Sequence, residues 1–375
     1  MISVSRLISK RAEEGDRVRY SGLKDRYPSV LVFNVTRNCN LRCVHCYSGS
    51  GTQLFQDLPL STWLNAVKQA SDMGVKHILL SGGEPLARRD VHLIAKEAWE
   101  RGIRVELSTN GTMLTRERLE ELRRYVDYVG VSIDGPEPVH DRFRGVEGAF
   151  SKAIKGIRTS REMGIKTGLR FTLTRENYKY VDFVFDLMMK EGINRVCFYH
   201  LAYAGRADRK LDIDNSMRVG LVTKIIEYAK RGEWEVLTAD NPVDGVLVYS
   251  LTRNPGILEL LRKNGGNKSG ERIADVTPDG VVYPDQFTPV PLGRVEKLRD
   301  IWDQPHPMVE KLRKRRTLVK CSSCKFFDVC NGGLRGRALA VTGDLWEKDP
   351  SCYLDWIAEI DDRNKGNNLI PSTET

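Results

Sequence analysis

Residues 28–47 read PSVLVFNVTRNCNLRCVHCY, and this stretch decides the fold. Its first eight residues are apolar and rich in β-branched side chains, which predicts a strand. Cys39, Cys43 and Cys46 follow in the spacing C-x3-C-x2-C, within a loop that begins just after the strand. Three thiolates bind three irons of a cubane cluster and leave the fourth iron open. The stretch therefore predicts a strand that leads into an open iron–sulfur site.

The sequence beyond this loop alternates between strands and helices. The predicted strands cover residues 28–35, 77–81, 104–109, 128–133, 167–173 and 195–199. Helical periodicity fills the intervals, over residues 61–73, 90–101, 115–125, 149–163 and 177–191. This alternation predicts a parallel sheet, because each helix returns the chain to the same edge. Six such units predict an α/β fold, either a partial (β/α)6 barrel or a doubly wound sheet.

The flanking segments have a different character. Residues 1–28 form an N-terminal extension before the barrel at 29–214, and residues 215–265 are a linker with one helix. Asp279-Gly280 is a strong turn signal, so residues 272–284 are predicted to form a hairpin. The hairpin lies in a small C-terminal domain at 266–360, and the polar residues 361–375 are expected to be a disordered tail.

Four further cysteines form a second group near the C-terminus: Cys321, Cys324, Cys330 and Cys352. Cytoplasmic chains seldom use cysteines for disulfides, so this clustering indicates metal. Four thiolates complete the ligand set of either a second cubane cluster or a zinc ion, and the spacing leaves both open. Zinc is disfavoured for the first group, because structural zinc takes four ligands and His45 is badly placed as the fourth.

Composition bounds the function loosely. The chain has 375 residues, a hydrophobic share of 41% and a net charge of +9. No apolar stretch is long enough for a membrane helix and no signal peptide is visible, so we expect a cytoplasmic protein without a membrane partner. The basic residues are spread along the chain, which favours a generic anion preference and not nucleic acid.

The ordered motifs resemble the radical S-adenosylmethionine (SAM) superfamily. After the cysteine loop come SGGEP at 81–85, STNG at 108–111 and SIDGP at 132–136, each at the end of a predicted strand. The resemblance covers residues 29–355. It implies an enzyme in which the first three cysteines hold a [4Fe–4S] cluster that chelates SAM. Reductive cleavage of SAM would then give a 5′-deoxyadenosyl radical that abstracts hydrogen from the substrate.

The same resemblance implies a set of SAM contacts. A glycine turn would approach the methionine part, polar strand ends would bind the ribose, an arginine would pair with the carboxylate, and a histidine would lie near the adenine. In chain order these residues are His45, Gly82, Gly83, Glu84, Ser108, Asn110, Ser132, Asp134 and Arg144. Plain turn residues at 108 and 110 and a surface ion pair at 144 are the alternatives.

The C-terminal cysteine group resembles the shortened auxiliary-cluster domain called Twitch. The residues that carry this resemblance are GGLRGRA at 332–338 and DPSC at 349–352. The longer SPASM version has extra cysteines beside its hairpin, but here Asp285 stands where one would be expected. The resemblance implies one auxiliary [4Fe–4S] cluster and disfavours zinc.

Further segments resemble the radical SAM enzymes that trim tetrapyrrole side chains, a group that includes the didecarboxysiroheme deacetylase and the heme d1 enzyme. They are VCFYHL at 196–201, YAGR at 203–206, VLTADN at 236–241, PDQF at 284–287 and TGDLW at 342–346. The resemblance implies removal of acetate or propionate arms from a siroheme-derived macrocycle. The candidate substrate contacts are Arg170, Cys197, Tyr199, His200 and Arg206, with satisfied core or rim residues as the alternative.

Other functions stay open on the sequence. Relatives of this architecture also mature the tungstopterin of aldehyde ferredoxin oxidoreductase or modify peptides. Only 28 residues precede the first strand, which is too few for a separate peptide-binding domain and disfavours a peptide substrate. A zinc-binding protein without enzymatic activity is the third alternative. The family resemblance implies ferredoxin or flavodoxin as the electron donor.

Overall fold

The computed structural model describes residues 1–9, 11–22 and 26–358, so the predicted tail at 361–375 lies outside the described residues. One sheet organises this part of the chain. Its eleven strands are β1 Ile2–Ser3, β2 Val30–Asn34, β3 His77–Ser81, β4 Arg104–Thr109, β5 Tyr128–Ser132, β6 Thr167–Leu173, β7 Arg195–His200, β8 Glu235–Ala239, β9 Ile273–Val276, β10 Val281–Tyr283 and β11 Gly293–Arg294.

Helices connect the strands. Those found in the described ranges are α1 Val4–Ser9, α2 Asp16–Arg19, α3 Leu60–Asp72, α4 Val91–Glu100, α5 Arg116–Leu122, α6 Glu137–Arg144, α7 Ala149–Glu162, α8 Val181–Glu191, α9 Asn215–Lys230, α10 Val243–Thr252, α11 Pro255–Asn264, α12 Asp300–Asp303, α13 Pro307–Arg313, α14 Phe327–Cys330 and α15 Arg335–Thr342. Short 3-10 turns lie at Pro85–Ala87, Tyr178–Tyr180, Arg209–Leu211, Val295–Lys297 and Arg315–Thr317. None of the described helices is both long and apolar enough to cross a bilayer.

The strand order is β1-β8-β7-β6-β5-β4-β3-β2-β9-β10-β11. Strands β2 to β8 and β9 run parallel, whereas β1, β10 and β11 pair antiparallel at the two ends of the sheet. The predicted α/β fold is confirmed, and the six predicted strands are β2 to β7. Eight strands of the described residues run parallel, two more than predicted: β8 lies in the segment assigned as linker, and β9 was predicted only as a hairpin strand.

Alternation of side chains along each strand separates an outer face from an interior face. In β2, Phe33 packs against Trp63 of α3, with ring centroids 5.2 Å apart, so Val32 and Asn34 face the interior. In β7, Phe198 packs against Phe185 of α8, which turns Cys197 and Tyr199 inward. The helices thus bury the apolar outer face, and the interior is free to carry polar groups.

At both ends of the sheet, strands come from segments that were predicted to lie outside the barrel. Ile2 of the N-terminal extension lies opposite Thr238 of β8. The hairpin strand β9 pairs parallel with β2, with Asp275 opposite Val32, so the hairpin continues the barrel sheet. The division into a barrel at 29–214, a linker at 215–265 and a C-terminal domain at 266–360 stays a prediction.

Candidate functional site

The first cysteine group occupies one neighbourhood at the end of β2. Cys39, Cys43 and Cys46 surround Leu41 and Ala149. Burial, together with the charges of Glu84 and the other two cysteines, raises the pKa of the Cys39 thiol to about 12. Within the described ranges, no three His, Cys, Asp or Glu side chains converge closely enough to hold a single metal ion, and this includes the three thiols. Three neighbouring thiols without a fourth ligand nevertheless form the donor set that suits a cubane with one open iron.

Backbone hydrogen bonds fix this loop to the barrel. The amides of Arg42 and Val44 each donate over 3.0 Å, to the carbonyl oxygens of Arg144 and Phe143 at the end of α6. Arg206 lies in the loop after β7. Its side-chain Nε donates to the Cys43 carbonyl over 2.8 Å, and its backbone amide donates to the Cys46 carbonyl over 2.9 Å. Arg206, a candidate substrate contact, thus binds the cysteine loop and holds it in position.

His45 offers an unpaired polar atom beside the cysteines. Its ring stacks on Phe143, with centroids 4.3 Å apart and an interplanar angle of 19°. Burial lowers the pKa of His45 well below its usual range, and the positive charges of Arg144 and Arg206 lower it further. The neutral ring leaves Nδ1 buried without a partner among the described residues. Such an atom usually indicates a missing ligand or water, which fits the predicted adenine contact.

The two glycines after β3 are required by a close approach of two backbones. A Cβ at Gly82 would lie 2.3 Å from the Thr36 oxygen, and one at Gly83 would lie 2.3 Å from the Asn38 oxygen. Gly82 also has a φ of +136°, which L side chains rarely adopt. The turn therefore packs directly on the start of the cysteine loop, whatever else it binds.

Glu84 is fully buried and joins the ends of β3 and β4. Its carboxylate accepts hydrogen bonds from the Thr109 hydroxyl at 2.8 Å, the Asn110 amide at 2.8 Å and the Leu86 amide at 3.1 Å. Burial raises its pKa, and these three donors oppose that shift. The geometry suits the predicted role as a support for the turn.

Asp134 and Arg144 pair with each other. The Arg144 Nε donates to Asp134 Oδ2 over 2.7 Å, and its Nη1 lies 3.7 Å from the Cys43 sulfur. Asp134 Oδ1 accepts from the Thr172 amide at 3.1 Å. The guanidinium therefore links a cysteine of the first group to the ends of β5 and β6.

The remaining predicted SAM contacts line the same ends of the strands. Asn110 Nδ2 donates to Asn40 Oδ1 over 3.0 Å and lies 3.9 Å from the Cys39 sulfur. Ser108 and Ser132 are half-buried on β4 and β5. Eight of the nine predicted contacts thus lie on the cysteine loop or at the ends of strands β3 to β5 and just after them, and the ninth, Arg144, ends α6.

Three of the five candidate substrate contacts meet inside the barrel. The Arg170 guanidinium lies over the Tyr199 ring, 4.4 Å from its centroid. Cys197 packs against Tyr199, Leu237 and the end of β8, and burial raises its pKa. Arg170 is half-buried, and no carboxylate of the described residues forms an ion pair with it. The interior therefore presents one guanidinium without an anionic partner.

His200 lies on the other face of β7. Its Nε2 donates to Asp244 Oδ2 of α10 over 2.8 Å, and its Nδ1 accepts from Arg218 Nη1 of α9 over 2.7 Å. The Tyr353 hydroxyl completes this buried group by donating to Asp244 Oδ1 over 2.6 Å. The structure does not bring His200 to the interior with the other candidates.

The second cysteine group also shares one neighbourhood. Burial, together with the neighbouring thiols of Cys352, Cys321 and Cys324, raises the pKa of Cys330 to about 12. Four neighbouring thiols suit a closed four-thiolate site.

The segment before Cys352 is attached to the barrel. Arg337 pairs with Asp349 over 2.9 Å and donates to the Leu201 carbonyl over 2.7 Å, while Asn241 donates to the Ser351 carbonyl over 2.8 Å. The second cysteine group is therefore held against the ends of β7 and β8.

The comparisons with known proteins agree with this geometry. The family model described as "Radical SAM superfamily" matches residues 33–188. The chain is 39% identical to "Fe-coproporphyrin III synthase" of Methanosarcina barkeri, over 94% of this chain and 98% of that protein. The chain belongs to the radical SAM superfamily. This radical SAM protein is also 36% identical to "Pre-heme d1 synthase" of Dinoroseobacter shibae, over 87% of its own length and 86% of that protein.

A solved structure supports the fold of this radical SAM protein. The chain superposes on Streptococcus suis SuiB bound to precursor peptide SuiA with a TM-score of 0.72 and 20% identity, over 90% of this chain and 78% of that one. The predicted family resemblance is confirmed. The protein is a radical SAM enzyme, and SAM and a [4Fe–4S] cluster follow from its family.

Sequence reasoning missed the polar residues that connect β2 to β9. Tyr47 follows the last cysteine of the loop, and its hydroxyl donates to Asn34 Oδ1 over 2.8 Å. Asn34 Nδ2 in turn donates to Asp275 Oδ1 over 2.7 Å. The available signal was an aspartate within the apolar strand sequence IADV, because strand interiors seldom contain this residue.

Proposed function

We propose that this radical SAM enzyme removes acetate arms from a siroheme-derived iron tetrapyrrole, with propionate removal as the nearest variation. The observation that carries the proposal is the unpaired Arg170 guanidinium inside the barrel. A guanidinium without an anionic partner, held in place inside the barrel, is well suited to bind a substrate carboxylate. The relatives named for Fe-coproporphyrin III and pre-heme d1 synthesis support this substrate class.

Cys39, Cys43 and Cys46 are the proposed ligands of the SAM-binding [4Fe–4S] cluster. When bound, the cluster and SAM together supply the 5′-deoxyadenosyl radical that abstracts hydrogen from the substrate. The proposed SAM contacts are His45, Gly82, Gly83, Glu84, Ser108, Asn110, Ser132, Asp134 and Arg144. The residues of this chain have a positioning role: Arg144 and Arg206 hold the cysteine loop, and Glu84 fixes the glycine turn.

The substrate is proposed to lie inside the barrel, next to β6 and β7. Arg170 would pair with one of its carboxylates, and the Tyr199 ring below would keep the guanidinium in place. Cys197 and the apolar ends of β8 form the wall beside them. This arrangement fits a large apolar ring with charged arms, because the wall is apolar and Arg170 offers a positive charge to one of the arms.

Cys321, Cys324, Cys330 and Cys352 are the proposed ligands of one auxiliary [4Fe–4S] cluster. Their position against the ends of β7 and β8 supports a role near the substrate. Ferredoxin or flavodoxin is the proposed electron donor. Reconstituted protein is expected to contain about eight iron and eight sulfide per chain for two cubane clusters. Zinc in the second group would halve both values.

The proposed function is tested by anaerobic incubation of the reconstituted enzyme with SAM, a reductant and didecarboxysiroheme. We expect 5′-deoxyadenosine to accumulate in step with the loss of acetate masses from the macrocycle. A macrocycle of unchanged mass, together with substrate-independent 5′-deoxyadenosine, would contradict the tetrapyrrole proposal while leaving the family assignment in place. Incubations with tungstopterin or peptide substrates would then follow.

A further inference from the structure

A continuous line of hydrogen bonds leads from the cysteine loop to β9. The Tyr47 hydroxyl accepts from Gln286 Nε2 at 3.0 Å and donates to Asn34 Oδ1. The Asn34 side chain is thereby oriented with its amide group toward Asp275, to which it donates over 2.7 Å. Each group before Asp275 has both a donor and an acceptor partner. The line ends at the Asp275 carboxyl group.

Asp275 faces the interior of the barrel. Its neighbours Ala274 and Val276 belong to the apolar core of the outer face, so the alternation of β9 turns Asp275 inward. Its Oδ2 has no hydrogen-bond partner among the described residues. Oδ2 is also not one of the fully enclosed atoms that lack a partner, so it keeps some accessible surface.

The surroundings of Asp275 favour its neutral form. Burial raises the pKa of Asp275 well above its usual range, and the Asp285 carboxylate in the loop after β10 raises it further, while the Asn34 hydrogen bond lowers it. Tyr47, from the cysteine loop, is the other titratable group facing it. No Arg, Lys or His of the described residues forms an ion pair with Asp275. Because Oδ1 accepts from Asn34, Oδ2 is the oxygen that carries the proton in the neutral form.

We propose that Asp275 is a second substrate-binding group, whose Oδ2–H donates a hydrogen bond to a carboxylate of the tetrapyrrole inside the barrel. This inference rests on the proposed function and goes beyond it by assigning a second contact on β9, which follows β2 in the strand order and is not a neighbour of β6 or β7. A hydrogen bond to an ionised acceptor is stronger than one between neutral groups. A neutral acid supplies that bond without adding a charge to the interior, whereas an ionised Asp275 would repel the substrate.

The test is a spectroscopic titration of reconstituted enzyme with didecarboxysiroheme, without SAM, from pH 6 to pH 9. The variants are Asp275→Ala, Asp275→Asn and the matched control Asp279→Asn, which lies on the exposed hairpin turn four residues away. We expect wild type and D279N to bind more weakly as the pH rises and Asp275 ionises. D275A should bind about tenfold more weakly at low pH, as expected for loss of one charge-assisted hydrogen bond. D275N keeps a donor and cannot ionise, so its affinity should lose this dependence on pH.

The outcomes separate this inference from the proposed function. If wild type binds and processes the tetrapyrrole while D275N and D275A match D279N at every pH, Asp275 has only a structural role and the inference is wrong. A wild type that binds no tetrapyrrole overturns the proposed function, and the inference with it. Because D275N is close to isosteric, it tests the pH dependence even if D275A fails to fold.

Discussion

The two faces of the barrel sheet differ in how many of their polar side chains have a partner. On the outer face, His200, Asp244, Arg218 and Tyr353 form a closed group in which each side chain has a partner at 2.8 Å or less. On the interior face, Arg170 has no anionic partner and Asp275 leaves one oxygen unbonded. The outer group is fully buried, whereas Arg170 is half-buried and Asp275 is buried.

This difference separates polar residues that stabilise the fold from polar residues that are available to bind substrate. A buried polar group that is fully paired contributes to stability, whereas one that lacks a partner costs free energy until a ligand satisfies it. The outer group is therefore assigned to stability and the interior residues to substrate, and each variant below alters one face while leaving the other intact.

The largest effect is expected at the cysteine loop, where the interior chemistry begins. Cys43→Ala removes one of three proposed ligands and should abolish SAM cleavage without unfolding the protein. The measurement is 5′-deoxyadenosine formation under reducing, anaerobic conditions. Val44→Ala, at the neighbouring exposed position, is the control and should retain activity. Full 5′-deoxyadenosine formation by C43A would show that the first cluster is assigned to the wrong residues.

The next effect in size concerns the outer face. Asp244→Ala leaves both His200 and Tyr353 without their buried partner and should destabilise the protein by about 3–5 kcal/mol. Asp182→Ala removes a carboxylate that pairs with Lys224 over 2.6 Å at the surface, and should cost less than about 1 kcal/mol. Denaturant unfolding measures both. Equal decreases in the free energy of unfolding of the two variants would contradict the claim that the outer group stabilises the fold.

The interior counterpart is Arg170→Met. It removes the unpaired guanidinium and should weaken didecarboxysiroheme binding about tenfold or more, because one charged contact is lost. The midpoint of thermal unfolding should stay the same or rise, since no buried carboxylate is left without its partner. Arg262→Met, on the exposed side of α11, serves as the control for both measurements. Unchanged affinity with reduced stability would reverse the roles of the two faces.

The smallest effect is a pH-dependent difference in stability. The pKa of Asp275 is raised in the folded protein, so folding binds its proton more tightly than the unfolded chain does. The free energy of unfolding of wild type should therefore fall, relative to that of Asp275→Asn, as the pH rises from the normal aspartate pKa through the raised one. Thermal unfolding of the two proteins at pH 5 and pH 8 measures this. A constant difference would mean that Asp275 titrates normally.

Local patterns in the sequence predicted the strands β2 to β7 and the cysteine loop, because periodicity and spacing are local properties. They did not reveal β8, whose five residues EVLTA carry little pattern by themselves. The turn signal at Asp279-Gly280 predicted the hairpin, but a turn does not specify the parallel pairing of β9 with β2, more than 240 residues away. That pairing depends on tertiary packing.

Local sequence patterns also predicted only part of the site. The motifs led to residues that the structure places around the cysteine loop, because those residues follow strand ends whose order is fixed. His200 and Tyr199 are adjacent in sequence, and only the packing of Phe198 on α8 decides which of them faces the interior. Arg206 was chosen as a polar residue after a strand, and its hydrogen bonds to the cysteine loop join residues more than 150 positions apart.

The most direct test of the account compares didecarboxysiroheme with its fully methylated ester, by titration of wild type and Arg170→Met. The interior groups are assigned to substrate carboxylates, so wild type should bind the free acid at least about tenfold more tightly than the ester. Arg170→Met should lose most of that preference. Equal affinity of wild type for the acid and the ester would contradict the claim that the unpaired interior groups recognise carboxylates.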